Sequence, residues 1–184
     1  FRINTPSIAH QTIAGEMIDM LAEARPDAVF ETIGGYAPVT DPPEGVDFHP
    51  AFRVVWAHWG RYHGHGYDDP RYDRRKNLAD WIKACRGGIT ICQYYTDNFA
   101  EPWVMQPFTV AMEGDRRYFL KHRMDSVYML CWPKDYWWNH SLNGHLAGRV
   151  QYDAEADPMA LLKDYALNYY GPEAGPLIGA YYAE

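Results

Sequence analysis

The sequence predicts an α/β protein with parallel strands and a helical tail. Three observations lead there. Short β-branched apolar runs alternate with amphipathic stretches from residue 7 to residue 131. Each run breaks into Gly, Pro, His, Asp or aromatic residues, as strands of a parallel sheet do at their carboxyl ends. After residue 140 only helical periodicity remains. Four strands do not close a barrel, and a complete (β/α)8 barrel takes roughly 200 residues or more. The favoured architecture is the C-terminal half of a (β/α)8 TIM-type barrel over residues 1–140, with about four parallel strands. A C-terminal helical segment over residues 141–184 packs on it. A small open α/β sheet is the alternative.

The elements follow in order. Residues 7–25 read as a helix, with Ala9, Ile13, Met17, Leu21 and Ala24 on one stripe, Ser7 able to cap and Pro26 to stop it. Ala28 to Ile33 is a strand ended by Gly34-Gly35. Four prolines make residues 37–50 an irregular loop. Phe52 to Ala57 is the next strand, running into His58-Trp59-Gly60-Arg61 and a polar loop to about Arg71. A helix over residues 73–86 sets Leu78, Trp81, Ile82 and Cys85 at i, i+3, i+4 and i+7. Ile89 to Tyr95 has the length and composition of a strand buried on both faces. Pro107 suits the first turn of a helix carrying Phe108, Ala111, Met112, Tyr118 and Phe119 to His122. Ser126 to Cys131 is a fourth strand, followed by an aromatic polar loop over residues 132–140. Leu142, Leu146 and Val150 mark a helix. Asp157-Pro158 opens another, closed by Gly171-Pro172, and Leu177, Ile178 and Tyr181 mark the last.

Composition narrows the partners. A net charge of −7 without an acidic block points away from nucleic acid. No apolar run is long enough to span a bilayer, so a soluble chain with no membrane partner is expected. It begins at Phe1 without a leader, as a fragment would; a signal peptide upstream would send the protein to the periplasm or outside the cell. Cys85, Cys92 and Cys131 lack CxxC spacing and read as buried free thiols.

Chemistry concentrates after the third strand, in Asp97-Asn98-Phe-Ala-Glu101-Pro-Trp103. Pro102 and the Asp-Asn pair cannot continue a central strand, so these groups sit past its carboxyl end. Ligands bind there in parallel α/β folds. Two acids, an amide and a large ring fit a sugar. Cleaving a glycosidic bond takes two carboxyl groups, about 5–5.5 Å apart for retention and roughly 6.5–9.5 Å for inversion. Asp97 and Glu101 are the catalytic candidates; an Asx-turn or helix cap is the alternative for Asp97 and a loop ion pair for Glu101. His58 can donate to sugar hydroxyls, and Arg61 can grip a carboxylate of substrate or protein in bidentate fashion. Tyr95, Asn98 and Asn139 supply further polar contacts. Trp59, Trp103 and Trp132 follow three strand ends, where flat rings stack on sugar faces. Trp137 either joins them or seals the barrel top with Trp138. Glu31, read as lying within a buried strand, pairs with Arg53 or reaches substrate.

Tyr94-Tyr-Thr-Asp-Asn-Phe-Ala-Glu-Pro-Trp103, Trp132-Pro-Lys-Asp-Tyr-Trp-Trp-Asn139 and Leu142-Asn-Gly-His-Leu-Ala-Gly-Arg149 resemble an uncharacterised bacterial family. That family is a domain of unknown function with a barrel similar to the family 67 α-glucuronidases. The segment from Asp157 to Tyr182 is similar to the helices that follow its last strand. The resemblance implies a glycoside-hydrolase-like barrel acting on a poly- or oligosaccharide. It also implies an N-terminal half upstream of Phe1 as the structural partner, carrying a further strand-end acid.

The expected function is hydrolysis of a glycosidic bond with carbohydrate as substrate and no cofactor. A carbohydrate-binding barrel without catalysis is one alternative. A metal-dependent hydrolase using His58, His63 and His65 is another, although H-x4-H-x-H matches no closed zinc motif and no metal is assigned.

Overall fold

The computed structural model describes residues 6–36, 39–96, 106–124, 126–131 and 133–183. They form α1 (Pro6–Ala24), β1 (Phe30–Gly34), β2 (Phe52–Ala57), α2 (Arg75–Ala84), β3 (Ile89–Thr96), α3 (Thr109–His122), β4 (Ser126–Cys131), α4 (Pro133–Tyr152) and α5 (Pro158–Ala183). The sheet order is β1-β2-β3-β4. β1, β2 and β3 pair in parallel, Phe30 beside Phe52 and Val54 beside Ile89. The mixed α/β class, the three parallel strands and the helical tail agree with the sequence reading. Two compact units share the chain.

The first unit comprises Phe1–Trp59, Asp73–Gln93 and Met124–Tyr128. Side chains alternate across a strand, so Phe52, Val54 and Trp56 share one face, and all three are buried. Leu78 and Trp81 of α2 are buried with them. Phe48 stacks on Phe52 with ring centres 4.5 Å apart and lies 5.8 Å from Trp81. Gly34 belongs to this packing, because a Cβ there would come 2.6 Å from Val54 and 3.3 Å from the Trp81 ring. The opposite face carries Glu31, Arg53, Thr90 and Cys92.

Two expectations shift in this unit. Glu31 is exposed rather than buried, because β1 is an edge strand whose alternate residues face solvent. It lies in register with Arg53 as anticipated, and its carboxylate accepts the Thr90 hydroxyl proton. In α1 the buried residues are Ile18 and Ala22, while Ile13, Met17 and Leu21 are exposed. A helix this rich in apolar residues offers several stripes, and packing selects one of them.

The second unit comprises Gly60–Tyr72, Tyr94–Arg123 and Met129–Glu184. Its core joins Tyr95 and Phe108 to Ala111 and Met112 of α3, Leu142, Leu146 and Ala147 of α4, and Leu162 of α5. The stretch read as a loop before His140 is helical, because α4 starts at Pro133. Proline is preorganised for the first helical position, where its missing N–H costs nothing. Asp157 opens α5 as expected: its Oδ1 accepts the Met159 N–H at 2.8 Å. Gly171, with φ 81°, breaks α5 where Gly171-Pro172 marked a stop. The chain then turns back. A Cβ on Gly175 would stand 2.6 Å from the Leu167 Cα, and one on Gly179 3.4 Å from the Ala166 Cβ. Small residues at i and i+4 let the two halves of α5 pack backbone to backbone.

Among the described residues no helix is long and apolar enough to cross a membrane. Cys85 is a buried free thiol, as expected, whereas Cys92 is free but only partly buried. The Cys85 thiol donates to the Phe52 carbonyl at 3.2 Å, and burial raises its pKa.

Candidate functional site

Polar groups are buried most densely in the second unit, where the loop of residues 60–72 meets α3 and the end of β3. The residue that collects them is Asp115. In α3 the buried positions Ala111, Met112, Asp115 and Tyr118 follow helical spacing, so Asp115 interrupts an apolar stripe with a carboxylate. Both Asp115 and Arg61 have side chains only 1% exposed. Arg61 Nη1 donates to Asp115 Oδ2 at 2.6 Å, and Nη2 donates to Oδ1 at 2.7 Å. The Tyr67 backbone N–H donates to Oδ1 at 2.7 Å, and the Tyr95 hydroxyl donates to Oδ2. Two donors thus meet each oxygen, which matches the acceptor capacity of an ionised carboxylate.

Arg61 is held on its other sides too. Nη2 also donates to the His65 carbonyl at 2.6 Å. The guanidinium lies 4.0 Å above the centre of the Tyr67 ring and 5.4 Å from that of Tyr72. A planar cation with a fixed fork suits both the bidentate carboxylate and the ring face. Burial alone would lower the Arg61 pKa. The Asp115 carboxylate outweighs it, with help from Tyr67 and Tyr95, and holds the guanidinium well above its ordinary value. Burial pushes the Tyr67 phenol up to about 12, against the opposing pull of Arg61. Tyr95 is raised well above its ordinary value by burial and then by Asp115. Both phenols therefore remain protonated at neutral pH.

Glycines bring the loop close enough. A Cβ on Gly66 would lie 2.5 Å from the Gly114 Cα, so two backbones touch where side chains would hold them apart. Arg117 of α3 adds an outer contact, its Nε donating to Asp68 Oδ2 at 2.9 Å. His63 stacks on Phe108 with ring centres 4.4 Å apart, and its ring lies 5.6 Å from that of Tyr95. Phe108 in turn donates its N–H to Asn143 Oδ1 at 3.1 Å, which anchors the start of α3. The result is a desolvated network attached to Tyr95, the penultimate residue of β3, which ends at Thr96.

The predicted site residues distribute as follows. Arg61 and Tyr95 meet on Asp115 in this unit, so the protein carboxylate foreseen for Arg61 exists. Asp97, Asn98, Glu101, Trp103 and Trp132 lie outside the described residues. The backbone of Trp137 and Asn139 runs within α4, and their side chains lie outside the described set. In the first unit, His58 follows β2 in a buried setting, with Nε2 4.0 Å from Asp73 Oδ2, and Trp59 after it is 48% exposed. The three histidines have separate surroundings: His63 stacks on Phe108, and His65 Nδ1 lies 3.7 Å from Asp69 Oδ2. Among the described residues no group of three or more His, Cys, Asp or Glu side chains is placed to hold a metal ion.

Asp115, Tyr67, Gly66 and Gly114 do not stand out in the sequence as site residues. A signal existed for Asp115, since it falls between Ala111 and Tyr118 on the stripe that defines the helix.

Among family models, the one described as a domain of unknown function (DUF4838) matches residues 11–183. No curated protein and no solved structure matches the chain.

Proposed function

We propose that this chain, which belongs to the DUF4838 family, hydrolyses a glycosidic bond with carboxylates that follow β3 in the sequence. Asp97 is the first of these and Glu101 the second; carbohydrate is the substrate. The observation that carries this reading is the buried network attached to the end of the strand. β3 is buried almost throughout, and its penultimate residue Tyr95 is tied to a buried ion pair. Buried ion pairs add little to stability compared with apolar packing of the same volume, so a fold alone gains little from one. Acid–base chemistry does gain, because reacting groups must be held within a fraction of an ångström. Asp97 is the second residue beyond Tyr95.

Under this reading the three parallel strands would belong to one half of a (β/α)8 barrel of glycoside-hydrolase type. In the first unit one sheet face packs apolar side chains with α2, while the other carries Glu31, Arg53, Thr90 and Cys92. A sheet face covered by a helix is what the outside of such a barrel would need, and the other face, which also carries Val55 and Ala57, would be the one turned inward.

The test is a panel of aryl glycosides. Wild-type protein should release the aryl group from at least one. Asp97→Asn and Glu101→Gln should each lower kcat by roughly a hundredfold or more, the scale of a lost general acid or base. Full activity in Asp97→Asn would remove that residue from the mechanism. A second reading, sugar binding without turnover, draws on the exposed ring of Trp59, 48% accessible. It predicts binding of oligosaccharides that survives Asp97→Asn, with no turnover in the wild type.

A further inference from the structure

We infer that Asp115 is a positioning residue: it fixes the end of β3 to α3 and to the loop of residues 60–72, and so sets where the segment after Thr96 begins. Its bearing on catalysis rests on the glycosidase reading above. Three elements meet at Asp115. Arg61 and the Tyr67 N–H come from the loop, Tyr95 from the strand, and Asp115 itself from α3. Among the described residues, each carboxylate oxygen accepts from two donors in a setting that leaves the Asp115 side chain 1% exposed. Displacing one partner therefore strands another. The loop is also barred from sliding, since Gly66 and Gly114 touch through their backbones and Asp68 is paired with Arg117. Strand end, loop and helix behave as one body about the carboxylate.

Tyr95 is the lever that separates positioning from bulk stability. Tyr95→Phe removes one hydroxyl and leaves the Arg61–Asp115 pair and the ring packing in place. The experiment makes three measurements on the protein: hydrogen exchange along residues 60–72 and 94–96, thermal melting, and kinetics (kcat and KM) on the aryl-glycoside panel. Exchange should accelerate at residues 94–96 while α4 and α5 keep their protection. kcat should fall roughly tenfold to hundredfold, the penalty of a misplaced reacting group, with KM nearly unchanged. Asp115→Asn, which in either orientation turns its amide N–H toward an Arg61 donor, should extend the faster exchange into residues 60–72.

An unchanged kcat in Tyr95→Phe would overturn the inference, as would acceleration spread evenly over the protein, which is the mark of a purely structural residue. If the wild type cleaves no glycoside, the glycosidase reading falls by itself. Hydrogen exchange then decides alone: local acceleration at residues 94–96 upholds the positioning role, and unaltered exchange rejects it.

Discussion

Arg61 and Asp115, 54 residues apart in sequence, meet through two hydrogen bonds of 2.6 and 2.7 Å in a setting that leaves each side chain 1% exposed. Such a pair is asymmetric in its energetics. Its formation contributes little net stability, because two ions give up their hydration, whereas removing one partner leaves the other buried and unmatched. Asp115→Ala should cost about 3–5 kcal/mol. The double variant Arg61→Met, Asp115→Leu should recover part of that loss but not all. The Tyr67 N–H and Tyr95 O–H would remain without their acceptor, at about 1–3 kcal/mol each. Denaturant unfolding of the two variants measures the difference; a double variant as stable as wild type would show that neither tyrosine depends on the carboxylate.

The glycines of the loop–helix contact form a second test. Gly114→Ala would push a methyl group to 2.9 Å from the Gly66 Cα and against the Asp68 carboxylate. Gly66→Ala meets the Gly114 backbone, which cannot rotate away as a side chain can. Each should destabilise by about 1–3 kcal/mol, the range for overpacking a filled contact. Gly148→Ala is the control. It lies inside α4 with no atom within 4 Å of the added methyl, so it should stabilise by up to about 1 kcal/mol. Thermal melts should rank the three with Gly148→Ala highest.

Alkaline pH probes the same network through its phenols. Tyr67 has a folded-state pKa near 12 and an ordinary value of 10.0, and Tyr95 is raised as well. A raised pKa means the folded state keeps a proton that the unfolded state releases. This contribution is complete below about pH 10, the unfolded value, and disappears as pH climbs through the folded value. Stability should therefore hold level to about pH 10 and decline between there and about 12. Phenolate absorbance should show a late group of tyrosines ionising together with unfolding. Tyr95→Phe should make the decline shallower.

Residues whose environment is set by near neighbours are legible in the sequence. Pro26, Asp157-Pro158 and Gly171-Pro172 mark helix ends because capping and φ restriction act within a few residues. The alternation of Phe52, Val54 and Trp56 marks a strand with one covered face for the same reason. Where several local solutions compete, the linear chain does not choose between them. Helix α1 offers apolar stripes at several phases, and the packed one holds Ile18 and Ala22 rather than Ile13 and Met17. Residues 133–140 mix rings with polar groups and resemble a loop, yet they extend the helix that packs through Leu142, Leu146 and Ala147.

From its residues alone, then, this protein declares parallel strands, a helical tail and Arg61 as a cation seeking a carboxylate. Those follow from periodicity, turn chemistry and the geometry of a guanidinium, all of which act locally. Only the folded chain decides that the carboxylate is Asp115, that Tyr95 shares it, and that Gly66 and Gly114 make room. These contacts join positions dozens of residues apart, and their strength comes from the exclusion of water, which no short stretch of sequence can impose.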